Sequence, residues 1–140
     1  MANFSVNDLD GLMMDLKEIA ELPDTVAEGM LDAEAKIVES AQVFTGMKMG
    51  VHRTGVTLTS ITHGRMKKGK DGGKVKYVYP QGTNAQGERN ATVAFVNEFG
   101  APRRGIPARP FIKLANEDAA DAAVDAAAEV YDKYLKSKNL

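Results

Sequence analysis

The sequence contains no cysteine and no tryptophan, and aromatic residues make up only 6% of its 140 positions. Without cysteine there is no disulfide framework, no thiol nucleophile and no thiolate metal ligand. With so few rings, the core must be largely aliphatic, with alanine and methionine as filler. No apolar run approaches the roughly 20 residues needed to span a bilayer. Residues 1–10 lack the basic start and apolar stretch of a secretory signal, so neither export nor a membrane partner is expected. Histidine is scarce as well. His52 and His63 are the only two, neither at metal-ligand spacing from another histidine, and both are expected to be solvated or on a sheet surface.

A chain of 140 residues is the length of one domain. Its 44% hydrophobic and 26% charged content is ordinary for a globular protein. The net charge of −1 hides a segregation. Residues 1–46 hold ten acids against two lysines (−8), residues 47–113 thirteen Lys/Arg against three acids (+10), and residues 114–140 six acids against three lysines (−3). A basic centre between two acidic flanks suits internal pairing. It also suits a subunit with one positive and one negative surface, as a head-to-tail ring requires.

Catalytic motifs are wanting. Residues 64–70, GRMKKGK, match a phosphate-binding loop as far as the lysine, but Asp71 stands where Ser or Thr would hold magnesium, and no apolar helix follows. Asn90-Ala91-Thr92 is a glycosylation pattern without a secretory context. Asp8 with Asp10, and Glu117 with Asp118, are neighbours that read as capping and surface residues. The expectation is therefore no enzyme, no cofactor and no metal.

The periodicity places helices at both ends. Leu9, Leu12, Met13, Leu16, Ile19 and Ala20 share one helical face, with Asn7 or Asp8 as cap. Leu22-Pro23 interrupts it, and a second helix is predicted to run to about residue 47 on a stripe of Val26, Met30, Ala33, Ile37, Ala41 and Phe44. Alternation over 56–63, over 74–80 (Val75, Tyr77 and Tyr79 on one face) and over 91–99 (Val93, Phe95 and Phe99 on one face) predicts three strands. A last helix is predicted over 110–137, with Phe111, Leu114, Ala115, Ala122, Ala126 and Val130 inward and Asp118, Asp121, Asp125, Glu129 and Asp132 outward. These readings predict a single α+β domain over 1–140. It comprises long N-terminal helices (1–47), a three- to four-stranded antiparallel sheet within 55–99, a Gly/Pro/Arg arm (100–109), and an alanine-rich C-terminal helix packed on the sheet.

The arm is the most distinctive stretch. NEFG at 97–100 is followed by a loop with Pro102, Gly105 and Pro107, and then by IPARPF at 106–111, where Pro110 suits a helix start. This string resembles the small tail-completion and head–tail connector (neck) proteins of long-tailed bacteriophages. A second match lies upstream in Arg53, Thr54, Gly55, Leu58, Ser60 and Ile61. It is similar, with a slightly offset spacing, to the Thr-Gly-x-x-Leu-x-x-Ser-Ile run of that family. The resemblance implies a structural subunit of the virion, made in the host cytoplasm and located at the head–tail junction or tail. It implies rings of identical copies around the DNA conduit, with adjacent connector, tail-terminator or tail-tube proteins as partners and passive contact with DNA in the channel.

Arg103, Arg104, Ile106 and Arg109 are the expected contact residues of the arm. Glu98, a lone acid in a basic segment, is expected to anchor one of the arm's arginines. Lys67, Lys68, Lys70 and Lys74 are expected to meet DNA or an acidic partner. Four such phosphate contacts would give a log K against log salt slope of roughly −3.6. The alternative reading is a small DNA-binding or regulatory protein that uses this basic centre, although aromatic interleaving there is sparse.

Overall fold

The computed structural model describes residues 22–51, 55–70 and 72–138. The amphipathic helix expected over 9–20, and His52, Arg53, Thr54 and Asp71, lie outside the described residues. The order of elements is α1 (Asp24–Lys48), α2 (Val56–Thr59), β1 (Ile61–His63), β2 (Lys67–Lys68), β3 (Lys74–Val75), β4 (Val78–Pro80), α3 (Asn90–Phe99), a short 3-10 turn (Pro102–Arg104) and α4 (Phe111–Ser137). The class is α+β, with antiparallel strands and a C-terminal helix packed against them.

The long helices lie antiparallel. Gly29 meets Val130 near one end, Gln42 Nε2 donates to Asn116 Oδ1 at 2.9 Å midway, and Gly46 meets Phe111 at the other. The buried line on α4 is Phe111, Ala115, Ala119, Ala123 and Ala127, a strict i+4 row. Such a row is a ridge that seats in the groove of a neighbouring helix, and alanine lets the two backbones approach. The inward face expected from the sequence is thus turned. Leu114 and Ala122 face solvent, whereas Asp118, Asp121, Asp125, Glu129 and Asp132 are exposed as expected. On α1 the buried residues are Ala35, Gln42 and Gly46, and Phe44 of the expected stripe is exposed. Partnering with alanines decides this face, because a small-residue ridge wants the closest-packing side rather than the most apolar one.

Two of the three expected strands change character. Residues 56–59 form a helical turn, entered through Gly55 at φ 75°. Thr59 Oγ1 bonds the Gly55 carbonyl and Ser60 Oγ that of Thr57, so the hydroxyls satisfy the backbone locally and only Ile61 onward is extended. Residues 90–99 form α3, which buries Asn90, Ala94 and Glu98 at i, i+4 and i+8. β-Branched and aromatic content there suggested a strand, but tertiary bonds from both ends of the segment favour helix. The strands that do form make two two-stranded pairs instead of one larger sheet. Ile61 pairs with Pro80 and His63 with Val78, while Lys67 pairs with Val75. The two registers differ by one residue, which makes the whole a single hairpin kinked by an extra residue, as at a bulge. Inward-facing positions alternate through Lys76, Val78 and Pro80, so Tyr77 and Tyr79 share the outward face.

Acidic α1 covers this hairpin through ion pairs. Asp24 pairs with Lys74, and Glu28 and Asp32 both receive Lys76 Nζ, at 3.0 and 2.5 Å. His63 places Nδ1 2.6 Å from Glu39 and Nε2 3.3 Å from Asp32. Four residues of helix advance about 6 Å and two residues of strand about 6.6 Å, so acids at 24 and 28 match lysines at 74 and 76 in pitch. The Lys76 side chain is only 6% exposed. Its hydrogen bond to Asp32 is the main cause that raises its pKa above the ordinary value of 10.5. The Lys74 hydrogen bond holds the Asp24 carboxyl below its ordinary range. His63 is thereby paired rather than simply solvated. Where the hairpin ends, Val51, Leu58, Ile61, Ala94 and Phe111 form the apolar core, and Phe111 is completely buried.

Two glycines of α1 separate packing from propensity. A Cβ on Gly46 would lie 2.5 Å from Leu58 Cδ2 and 3.2 Å from Phe111 Cδ2, whereas one on Gly29 would meet Val130 at an ordinary 3.5 Å. Gly46→Ala should therefore lose about 1–2 kcal/mol, overpacking outweighing helix propensity, and Gly29→Ala should gain about 0.5–1 kcal/mol. Urea midpoints check this, and shifts of the same sign would contradict it. A raised lysine pKa stabilises the fold below its unfolded value and loses that contribution as pH climbs through the folded value. The stability advantage of the native chain over Lys76→Met should accordingly shrink as pH rises past about 10.5, as followed by unfolding at graded alkaline pH.

Candidate functional site

A helix start must find acceptors for its first N–H groups, and Pro110, at the start of α4, has no side-chain oxygen to offer. Glu98 supplies them from another helix. Its Oε2 accepts from Ile112 N at 2.8 Å and its Oε1 from Lys113 N at 3.0 Å. A carboxylate here also complements the positive end of the helix dipole. The expected Glu98–arginine pair is therefore corrected. Glu98 is an anchor, but of the helix that follows the arm, because backbone donors inside the fold outcompete a guanidinium that water can solvate.

The arm itself is a closed turn. Ala101 N donates to Ile106 O at 2.9 Å and Ile106 N to Ala101 O at 3.1 Å, around the 3-10 turn Pro102–Arg104. Gly100 has φ 75°, and a Cβ there would lie 2.8 Å from both Ala108 N and Ile106 O, so only glycine permits this crossing. Arg109 N donates to Asn97 O at 2.6 Å, and Arg109 Nη1 reaches Gly50 O at 3.3 Å just beyond the end of α1. Of the expected contact residues, Arg109 thus ties the arm back to the body and Ile106 is half-buried at its base. Arg103 and Arg104 stand exposed on the tip, and neither side chain has an ion pair among the described residues.

Beside the arm lies a feature that the alternation reading missed. Phe95 and Phe99 are 62% and 64% exposed, with ring centroids 4.7 Å apart. They border an apolar groove of about 310 Å³ with Tyr79, Pro80, Ala91 and Ile112. Single exposed apolar residues are ordinary, whereas a contiguous aromatic patch marks an interaction surface. The signal was present as Ala91, Phe95 and Phe99 at helical i, i+4, i+8 spacing.

The basic hairpin is a separate region. Lys67 and Lys68 on β2, and Lys70, are exposed, with Lys67 Nζ 5.9 Å from the Tyr77 ring centroid. Lys74 is engaged with Asp24. The structure does not bring this cluster together with the arm arginines through any described contact. Among the described residues no group of three or more His, Cys, Asp or Glu side chains is arranged to hold a metal. The two carboxylates at His63 sit on opposite ring nitrogens and so cannot converge on one ion. Among the same residues no helix is long and apolar enough to cross a membrane.

Compared with protein-family models, with curated proteins and with solved structures, the chain matches none of them.

Replacing Glu98 by glutamine leaves one neutral acceptor for two part-buried donors. Glu98→Gln should lower stability by about 1–2 kcal/mol. It should also speed amide hydrogen exchange at Ile112 and Lys113 more than at the middle of α4. Unchanged exchange at those two amides would show that the cap is not what orders the helix start.

Proposed function

We propose that the protein is a non-enzymatic structural subunit at the head–tail junction of a long-tailed bacteriophage, assembling as a ring around the DNA conduit. The observation that carries this reading is the arm. Its two ends are locked to the body by Glu98, Asn97 and Gly50, its tip offers Arg103 and Arg104, which have no ion pair among the described residues, and the exposed Phe95–Phe99 pair stands just before it in the chain. Such a turn loses little entropy on docking, which is what preorganised contact surfaces exploit. The resemblance of NEFG and IPARPF to tail-completion and neck proteins supplies the setting. Copies of the same chain and adjacent connector, tail-terminator or tail-tube proteins are the partners of this reading. The virion is the location, and neither a cofactor nor a catalytic residue has a role.

The exposed hairpin lysines support a second role, passive contact with DNA in the channel. With Lys74 engaged by Asp24, three lysines remain, and the salt slope falls to roughly −2.7. Duplex DNA shifted by the isolated protein at submicromolar concentration would instead favour a DNA-binding or regulatory protein.

Arg103→Glu/Arg104→Glu should block particle assembly while leaving the thermal midpoint of the purified subunit within about 2 °C, because both side chains are solvated surface groups. An early stop codon should give filled heads and separate finished tails by electron microscopy. Normal infectious virions from either phage would refute the junction reading.

A further inference from the structure

We propose that the groove of Tyr79, Phe95 and Phe99, with the Arg103–Arg104 tip, forms one half of a head-to-tail contact. Its other half is the Ala120–Val124–Ala128 face of α4 on a second copy of this chain. This deepens the ring reading and rests on it for its biological setting.

Charge accounts for the choice of partner. Four of the five acids of α1 are engaged inside the subunit, Asp24 by Lys74, Glu28 and Asp32 by Lys76, and Asp32 and Glu39 by His63, while Glu34 is half-buried. Beside the hairpin lysines Lys67, Lys68 and Lys70, two opposite sets stand on exposed surface without an ion pair among the described residues. One is Arg103 and Arg104 at the arm tip. The other is Asp118, Asp121, Asp125, Glu129 and Asp132 on α4, all exposed. The arginines follow Phe99 of the aromatic groove by four and five residues, and Asp121 and Asp125 flank Val124, which is 63% exposed between the exposed Ala120 and Ala128.

Geometry keeps the halves apart within one subunit. The groove wall reaches α4 at Ile112. Val124 is twelve residues further on, roughly 18 Å along the axis and about 120° round it. One copy cannot close these surfaces on each other, so they are available to a neighbour. Pairing groove with groove would set arginine tips against arginine tips, whereas pairing groove with α4 sets arginine against aspartate. Two different patches on one chain make a heterologous contact, which generates a ring when the rotation closes. The small alanine side chains leave room for the two phenylalanine rings to lie on the helix.

The absence of cysteine allows a clean test. One full-length chain carries Ala91→Cys in the groove wall and a differently tagged chain carries Ala120→Cys. Both are treated with a short flexible bismaleimide at the highest soluble concentration, after circular dichroism shows native folding. A cross-linked dimer is expected from the mixture and from neither chain alone. Phe99→Ser in the first chain, or Val124→Asp in the second, should abolish it. Arg103→Glu/Arg104→Glu in the first chain should abolish it too, and Asp121→Arg/Asp125→Arg in the second should restore it. A cross-link from the Ala91→Cys chain alone would mean that like faces pair, and would overturn the proposal. No cross-link from the mixture would also overturn it. Normal virions from the stop-codon phage alongside a positive cross-link would remove the junction reading and leave the contact standing. Defective particles alongside a negative cross-link would do the reverse.

Discussion

The carboxylate of Glu98, holding the first free N–H groups of α4, is the join through which the rest of the fold is organised. The chain leaves α3, makes the arm, and returns to begin α4 on the residue that nearly ended α3. Because both bonds come from backbone donors at the first turn of α4, the direction of α4 is set relative to α3. That direction in turn places Phe111 in the core and aims the alanine row at α1. The arm is what remains between two fixed points. Its conformation is a consequence of this closure, with Gly100 chosen because the returning backbone passes within 2.8 Å of where a Cβ would stand.

A second constraint joins the other half of the molecule. The hairpin contributes few apolar side chains, and its two strand pairs are too short to be stable alone. It is held instead by the acids of α1, at a pitch that helix and strand share. Exposed ion pairs are individually weak, but Lys76 is shielded, receives two carboxylates and belongs to a connected series ending at His63. Uniform charge segregation along the chain is thus largely an internal matter for α1. The arm, the outer face of α4 and the hairpin lysines Lys67, Lys68 and Lys70 keep their charge for the outside.

In the assembly role proposed above, the combination of a locked frame and a tip without an ion pair among the described residues has a direct use. Binding through a preformed turn and an aromatic patch needs little ordering on contact, and the rings bring apolar area with few rotatable bonds. A contact of this kind would place its strength in the aromatics and its choice of partner in the arginines, since charged rims steer and select more than they hold.

Much of this was legible in the linear pattern. The bounds of α1 and α4, the loop punctuation of the arm and the solvated acid row of α4 all follow from spacing, Pro23, Pro110 and the glycines. The strand positions at 61–63 and 78–80 lay inside predicted strands, and Glu98 stood out as a lone acid. What the pattern did not carry was the state of 90–99, the buried face of α4 and the partner of Glu98. Phe95 and Phe99 satisfy both a strand and a helix reading, and the choice belongs to bonds made far along the chain, from Asn90 to Gln81 and from Ile112 and Lys113 to Glu98. An alanine-rich helix has no strongly apolar side to read, so its buried face is chosen by the helix that comes closest. Local propensity and periodicity determined where the helices run. The register of their faces, and hence the exposed groove, was decided by long-range acceptors and close packing, which no window of sequence contains.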